Sequence, residues 1–131
     1  MTRLTLLLAL CLTPAFSRAP YGSASVRALQ RVVDGDTFLV SLWGWPSVVG
    51  DSILVRVAGI DTPELRGVDS AQGRRAREYA RVLLTRGPIT LHGIRRDKYF
   101  RLLADIHVGG VSVGEELIKA GLARPYAGGK K

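Results

Sequence analysis

The sequence predicts an α+β fold that is mainly β, and the order of its segments leads to this prediction. Apolar stretches of alternating polarity, typical of strands, occur three times before residue 60 and twice after residue 88. A long segment with helical periodicity separates the two groups, and a shorter one follows the last strand. This order matches a five-stranded OB-type barrel with a helix between strands 3 and 4 and a short C-terminal helix.

The three N-terminal strands are predicted at Val26 to Val33, Thr37 to Trp43 and Ile53 to Val57. The second strand alternates apolar and polar side chains, which is typical of a half-buried strand. The turn before it, Asp34-Gly35-Asp36, contains a glycine that we expect to adopt a positive φ. The stretch from Gly44 to Asp51 is predicted to be a loop.

The long helix is predicted from Ser70 to Arg86, where small and apolar residues recur at helical spacing. Two strands, Ile89 to Ile94 and Leu102 to Val108, follow it. The short helix, Ser112 to Ala120, begins with a serine and a glutamate three residues later, which is the pattern of a capping box. Gly121 stands where a helix commonly ends in a left-handed residue.

The chain has 131 residues, which predicts one domain, and its formal net charge of +8 favours an anionic partner. Residues 1–17 combine a basic start, an apolar run and small residues, as a secretory signal peptide does. Residues 18–25 are predicted to be a linker, and residues 26–131 the domain. We expect a secreted or periplasmic monomer without stable membrane association, or a membrane-anchored protein if the leader is not cleaved.

Two aspartates, Asp36 and Asp61, each lie at a strand boundary, so both can project from one rim of the barrel. Carboxylates, a backbone carbonyl and water form an oxygen-only site that suits calcium, magnesium or manganese. The alternative is that aspartates such as Asp34 and Asp61 cap turns, which is a common role for this residue.

Two arginines and a glutamate add the features of a phosphate site. Arg56 lies inside an apolar strand, where a charge needs a partner or a function, and Arg101 stands just before another strand. Either guanidinium can hold a phosphate through two hydrogen bonds, although a surface position or an ion pair is the alternative. Glu64 follows Pro63 and is a candidate base for activating water.

These residues resemble the staphylococcal nuclease (thermonuclease) family. The matching motifs occur in the family's order: Asp34-Gly35-Asp36-Thr37, Arg56 with Asp61-Thr62-Pro63-Glu64, Asp97-Lys98-Tyr99 with Arg101, Glu116-Leu117 and Gly121-Leu122-Ala123. The resemblance extends from about Val32 to Ala123. It implies an OB-type barrel and a calcium-dependent nuclease that acts on DNA and RNA.

The resemblance also implies a role for each matching residue. Asp36 and Asp61 would be Ca²⁺ ligands together with the Thr62 carbonyl, and Asp34 would support the site. The resemblance also implies three catalytic and two substrate-binding residues, and the sequence departs from the family pattern at two points. Glu64 would be the general base, Arg56 and Arg101 would stabilise the transition state, and Lys98 and Tyr99 would lie beside a terminal phosphate. Phe100 occupies a position where the family usually has glycine, and the chain ends at Lys131, eight residues after Ala123.

The sequence therefore leads to two functional hypotheses. The first is a metal-dependent phosphodiesterase of low sequence specificity. The alternative is a non-catalytic OB-type module that binds nucleic acid or another polyanion. Three acidic groups, Asp36, Asp61 and Glu64, favour the enzyme, because carboxylates beside a bound phosphate would repel it in a simple binding site.

Overall fold

The structure, a computed structural model, describes residues 20–127. The expected signal peptide, residues 1–17, lies outside the described residues. In chain order the strands are β1 (Ala24–Asp34), β2 (Thr37–Leu42), β3 (Ile53–Val57), β4 (Ile60–Asp61), β5 (Ile89–Arg96), β6 (Leu102–Val108), β7 (Val111–Ser112) and β8 (Arg124–Pro125). The helices are α1 (Ser47–Gly50), α2 (Ser70–Leu84) and α3 (Val113–Lys119).

Five of the strands close into a barrel. They are hydrogen-bonded in the order β3-β2-β1-β5-β6, and β3 also pairs with β6 in parallel, so that the first and last members meet. The long helix α2 stands between the third and fourth barrel strands, and α3 follows the fifth. The predicted α+β fold with a five-stranded OB-type barrel is confirmed.

The core fills the barrel and the space beneath the helices. Its largest fully buried side chains come from four barrel strands and from α3: Phe38, Val40, Val55, Leu91, Ile94, Ile106 and Leu117. Helix α2 buries the predicted apolar face, Ala76, Ala80, Leu83 and Leu84, against β1 and α3. The arginines of the opposite face are exposed to solvent.

The ends of α3 follow the predicted capping pattern. The Ser112 hydroxyl accepts a hydrogen bond from the Glu115 backbone N–H at 3.3 Å. At the other end Gly121 has φ +70°. The Leu122 N–H donates to the Leu117 carbonyl at 2.9 Å, which closes the helix in the left-handed manner expected of glycine.

The barrel begins earlier in the chain than the sequence indicated. Ala24 and Ser25, two residues of the expected linker, are already part of β1 and pair with β5. Before them, the Tyr21 N–H donates to the Ile94 carbonyl and the Ile94 N–H donates to the Gly22 carbonyl. Alternation did not reveal this segment because its small polar residues carry no strand signal.

Two further expectations differ from the structure. The loop predicted from Gly44 to Asp51 contains the short helix α1. The polar face of β2 is not open to solvent, because Thr37 and Ser41 are 5% and 2% exposed. Each hydroxyl has a partner: Thr37 donates to the Asp36 carboxylate, and Ser41 accepts from the Ser52 N–H. Satisfied hydrogen bonds permit this burial.

Within residues 20–127, no helix is long and apolar enough to cross a lipid bilayer.

Candidate active site

The turn between β1 and β2 is held against α2 by a close approach at Gly35. A Cβ at this position would lie 2.7 Å from Ala76 Cβ and 2.9 Å from Thr62 Cγ2. Gly35 does not have a positive φ, so the expected reason for this glycine was wrong. Glycine is required because any side chain would push the turn away from the helix and from Thr62.

Asp36 is buried in the rim, and both of its carboxylate oxygens accept hydrogen bonds. Oδ1 accepts from the Thr37 hydroxyl at 3.0 Å, and Oδ2 accepts from the Thr62 backbone N–H at 3.2 Å. The backbone also ties this turn to β3, since the Val57 N–H donates to the Asp36 carbonyl at 2.8 Å. The carboxylate is thus fixed in one orientation.

Arg56 lies between the two strand-end aspartates. Its Nη2 atom is 3.5 Å from Asp36 Oδ2 and 3.5 Å from Asp61 Oδ1. The guanidinium also donates to the carbonyls of Val57 and Ile60 at 3.3 and 3.0 Å. Only 12% of the Arg56 side chain is exposed. The charge that was expected to need a partner therefore has two carboxylate partners, Asp36 and Asp61.

The acidic side chains of the rim influence the pKa of Asp34. Asp34 Oδ1 accepts a hydrogen bond from the Asp36 backbone N–H at 3.1 Å, which closes the turn. Burial raises the pKa of the Asp34 carboxyl to about 7, and the neighbouring Asp36 carboxylate adds to the rise. A positive charge bound among these carboxylates would oppose both effects.

The segment that carries Asp61, Thr62 and Glu64 is held from both sides. Asp61 belongs to β4, which pairs with β8, and its Oδ2 lies 3.7 Å from the Arg124 guanidinium. On the other side, α2 touches the backbone of Glu64 at Gly73, where a Cβ would lie only 2.2 Å from the Glu64 carbonyl oxygen. The Glu64 side chain itself is exposed.

The loop between β5 and β6 presents Lys98, Tyr99 and Arg101. Asp97 organises it, because its Oδ1 accepts from the N–H groups of Tyr99 and Arg101 at 2.8 and 3.3 Å. Asp97 Oδ2 also pairs with Arg101 Nε. Phe100 takes φ +57°. The phenylalanine thus adopts the left-handed conformation that glycine would adopt easily.

All of the predicted site residues line one open cleft of about 700 Å³. From the first turn and β3 they are Asp34, Asp36 and Arg56; from β4 and the segment after it, Asp61, Thr62 and Glu64; and from the loop before β6, Lys98, Tyr99 and Arg101. The barrel therefore brings together groups that are as many as 67 positions apart in the sequence, between Asp34 and Arg101. Their individual chemical roles stay predictions.

The cleft also contains residues that were not among the predicted site residues. Asp97 holds Arg101 in place. Its position at the start of the Asp97-Lys98-Tyr99 motif is the sequence feature that could have identified it as a site residue. Tyr126 lines the opposite wall, with its ring centre 5.6 Å from the Arg56 guanidinium carbon. The Tyr126 N–H donates to the Gly59 carbonyl at 2.9 Å. These two segments are distant in the sequence, and no local sequence pattern predicts that they pair.

The donor set fits a hard cation. Asp36 and Asp61 each place a carboxylate oxygen 3.5 Å from the same arginine nitrogen, and Thr62 lines the same cleft. Neither histidine nor cysteine lines the cleft in the described part of the chain. In residues 20–127 no group of three or more His, Cys, Asp or Glu side chains is placed to hold a metal.

These features define an OB-type barrel protein with a charged, oxygen-rich site at the rim of the barrel. A family model described as "Staphylococcal nuclease homologue" matches residues 54–131, more than half of the chain. The protein belongs to this family.

Three curated relatives show how the chain compares. It is 42% identical over 102 residues to the SPbeta prophage-derived endonuclease YokF of Bacillus subtilis (strain 168), covering 73% of this chain and 32% of that protein. It is 40% identical to Endonuclease YncB of the same organism, covering 73% and 46%. It is 33% identical to the Thermonuclease of Staphylococcus intermedius, covering 73% and 56%. The chain thus spans about a third to a little over half of these relatives.

Gly73→Ala is expected to destabilise the fold by about 1–3 kcal/mol, because the new methyl group would collide with the Glu64 carbonyl. Helix propensity alone favours alanine by about 1 kcal/mol, so the sign of the effect separates the two contributions. Urea unfolding of both proteins measures it. The exposed neighbour Gln72→Ala is the control and should change stability by about 0.5 kcal/mol or less. A more stable Gly73→Ala variant would contradict the close contact.

Proposed function

We propose that this protein is a calcium-dependent nuclease that hydrolyses phosphodiester bonds of DNA and RNA with low sequence specificity. The observation that carries the proposal is the convergence of Asp36, Asp61 and Arg56 on one rim, with Glu64 and Arg101 lining the same cleft. The names of the related proteins, endonuclease and thermonuclease, support the reaction class.

The charge balance of the cleft supports a metal-assisted reaction. In the described part of the chain five acidic side chains line it, against the three basic ones of Arg56, Lys98 and Arg101. An anionic phosphate would therefore meet more acidic than basic side chains among those that line the cleft, while Arg124, outside this lining, pairs with Asp61. A bound divalent cation would reverse this balance, and it would supply electrostatic stabilisation of the charge that develops on the phosphoryl oxygens.

The side chains of the protein would perform the remaining steps. Glu64 would accept a proton from a water molecule, whose oxygen attacks phosphorus as the bond to the leaving oxygen breaks. Arg56 and Arg101 would donate hydrogen bonds to the phosphoryl oxygens as negative charge grows on them. Asp97 would keep the Arg101 guanidinium aimed, since it binds both Nε and the backbone N–H of that residue.

The proposed cofactor is Ca²⁺, held by the carboxylates of Asp36 and Asp61 and the carbonyl of Thr62. Oxygen-only donors suit a hard cation, and calcium accepts irregular sites that water completes. The hydrogen bonds from Thr37 and Thr62 to Asp36 would orient that ligand. The supporting role proposed for Asp34 is to close the turn that presents Asp36.

The proposed substrates follow from the openness of the site. Lys98 and Tyr99 line the cleft and are exposed, Tyr99 to 66%, so that they can contact a phosphate or base of varied sequence. A formal net charge of +8 would attract polynucleotides from a distance. The alternative function, a non-catalytic nucleic-acid or polyanion-binding module, explains the charge but gives no use to the acidic groups in the cleft.

Glu64→Gln is expected to lower kcat for single-stranded DNA by about 10²–10⁴-fold, because the amide cannot accept the proton. The measurement is hydrolysis in the presence of calcium. Glu78→Gln, on an exposed part of α2, is the matched control and should leave kcat unchanged. A folded wild-type protein that binds DNA without cleaving it would overturn the nuclease proposal and favour the binding module.

Calcium is expected to stabilise the wild-type protein by about 2–3 kcal/mol at a concentration near 100 times its Kd, because it binds only the folded site. Thermal unfolding with and without calcium measures this shift independently of activity. Asp61→Asn should abolish the shift by removing a charged ligand. Asp51→Asn, a surface aspartate paired with Arg27, should retain it. An equal shift in both variants would place calcium elsewhere.

We also propose that the protein is exported, on the basis of the leader pattern in residues 1–17. N-terminal sequencing of protein recovered outside the cytoplasm of an expressing bacterium should then begin at Arg18. An intact Met1 in exported material would instead indicate a membrane anchor.

A further inference from the structure

A second cavity lies on the other side of the loop that carries Arg101. Its volume is about 200 Å³, which is enough for one ring system rather than a large ligand. Three aromatic side chains stand around it, Tyr21, Trp45 and Phe100, and apolar side chains of α1, β3 and β6 complete its lining. We call it the aromatic cavity.

The aromatic cavity is built by defined backbone contacts. Tyr21 is positioned by its N–H, which donates to the Ile94 carbonyl at 2.6 Å. Trp45 is partly buried and packs on the core beside α1. A Cβ at Gly50 would lie 2.6 Å from Trp45 Cβ, so glycine permits α1 to lie against this side chain.

Phe100 is the unusual member. A bulky side chain at φ +57° is energetically unfavourable, and this one is also 62% exposed, so burial does not compensate for the strain. Tyr21 is similarly 61% exposed. Two aromatic rings held open to solvent beside an apolar cavity suggest a surface that is completed by a ligand with a planar ring.

The charges around the aromatic cavity favour an anionic ligand. The Arg96 guanidinium carbon is 5.8 Å from the centre of the Phe100 ring, and Arg96 and Arg101 both line the cavity. No acidic side chain of the described residues lines it. A planar ring attached to a negatively charged group is the chemistry of a nucleotide.

Arg101 also makes the aromatic cavity continuous with the candidate active site, since it lines both. A polynucleotide with one phosphate near Arg101 in the cleft could therefore place a neighbouring nucleotide on the far side of the loop. Aromatic rings and arginines arranged along a strand path are how OB-type folds hold single-stranded nucleic acid.

We propose that the aromatic cavity is a subsite for a nucleotide next to the scissile phosphate of a single-stranded polynucleotide. Its base stacks on Phe100 and is flanked by Tyr21 and Trp45, and Arg96 binds its backbone phosphate. This assignment rests on the proposed function, because it concerns a second part of the same substrate. It gives a use to the strained, exposed side chain of Phe100.

The test is binding of single-stranded oligodeoxythymidylate to the full chain carrying Glu64→Gln, measured by fluorescence anisotropy in the presence of calcium, since this variant lacks the proposed base and keeps the proposed cation ligands. The probes are a mononucleotide, which is too short to occupy both sites, and an oligonucleotide of about eight residues, within the span of one OB fold. Phe100→Gly should weaken binding of the longer probe about tenfold through the loss of stacking and leave binding of the mononucleotide unchanged.

The matched controls separate stacking from folding. Glycine and asparagine both accept a positive φ, so Phe100→Gly and Phe100→Asn should fold at least as stably as the wild type in urea unfolding. Both should lose affinity for the longer probe. Phe100→Trp keeps a ring at the same strained position and should retain the affinity. Affinity that follows stability instead of the presence of a ring would overturn the proposal.

Two other occupants are distinguished by the same variants. If a second copy of the chain covers the aromatic cavity, sedimentation of the wild type will show a dimer that Phe100→Gly dissociates, and this result would overturn the proposal. If another part of the chain covers it, Phe100→Gly will not change affinity for either probe, which also overturns it.

Failure of the subsite differs from failure of the proposed nuclease function. If the wild-type and Phe100→Gly proteins cleave DNA with the same length dependence, the nuclease proposal stands and the subsite proposal fails. If the protein never cleaves DNA but binds the longer probe through Phe100, the nuclease proposal fails and the nucleotide-binding cavity stands.

Discussion

The buried contact of Arg56 with Asp36 and Asp61 is the constraint on which the rest of the rim depends. Three charged groups that are almost fully removed from solvent must lie close together, because an isolated charge in such a place would be severely destabilising. The contact joins the β1–β2 turn, β3 and β4. Removing one member of such a buried group commonly costs about 3–5 kcal/mol, because the others lose their compensation.

The same arrangement gathers an excess of acidic side chains in the cleft. Arg56 is shared between two carboxylates at 3.5 Å and also binds two carbonyl groups, so its charge is spread over several acceptors. With Asp34 and Glu64 added, acidic side chains outnumber basic ones among the described residues that line the cleft. A divalent cation would relieve this excess and allow the arginine to engage a phosphate. Stability and the proposed chemistry thus depend on the same charges.

Close backbone approaches and one strained residue position the parts of the site. Gly35 lets the first turn touch α2, and Gly73 lets α2 touch the backbone of Glu64. Across the cleft, Asp97 closes the loop before Arg101 even though Phe100 must adopt a positive φ. Helix α2 therefore supports the turn and segment that carry Asp36 and Glu64, while the loop that carries Arg101 is supported by Asp97.

Much of the architecture was available from local patterns. Alternation located the five barrel strands, helical spacing located the buried face of α2, and Ser112 with Gly121 located the ends of α3. Motif order then selected the residues of the cleft. These predictions succeed because they depend on side chains that repeat along a strand or helix, or on residues that cap it.

What the sequence by itself determined is the order of the elements and the identity of the charged groups. The tertiary structure alone decided which distant groups meet: Tyr126 beside Arg56, β8 beside β4, and Tyr21 beside Phe100 across the aromatic cavity. It also decided why Gly35 is glycine, because the reason is a neighbour 41 positions away at Ala76 and not the conformation of the turn. The physical reason is that such contacts arise only when the barrel closes, through backbone pairing and packing between segments whose local patterns carry no information about each other.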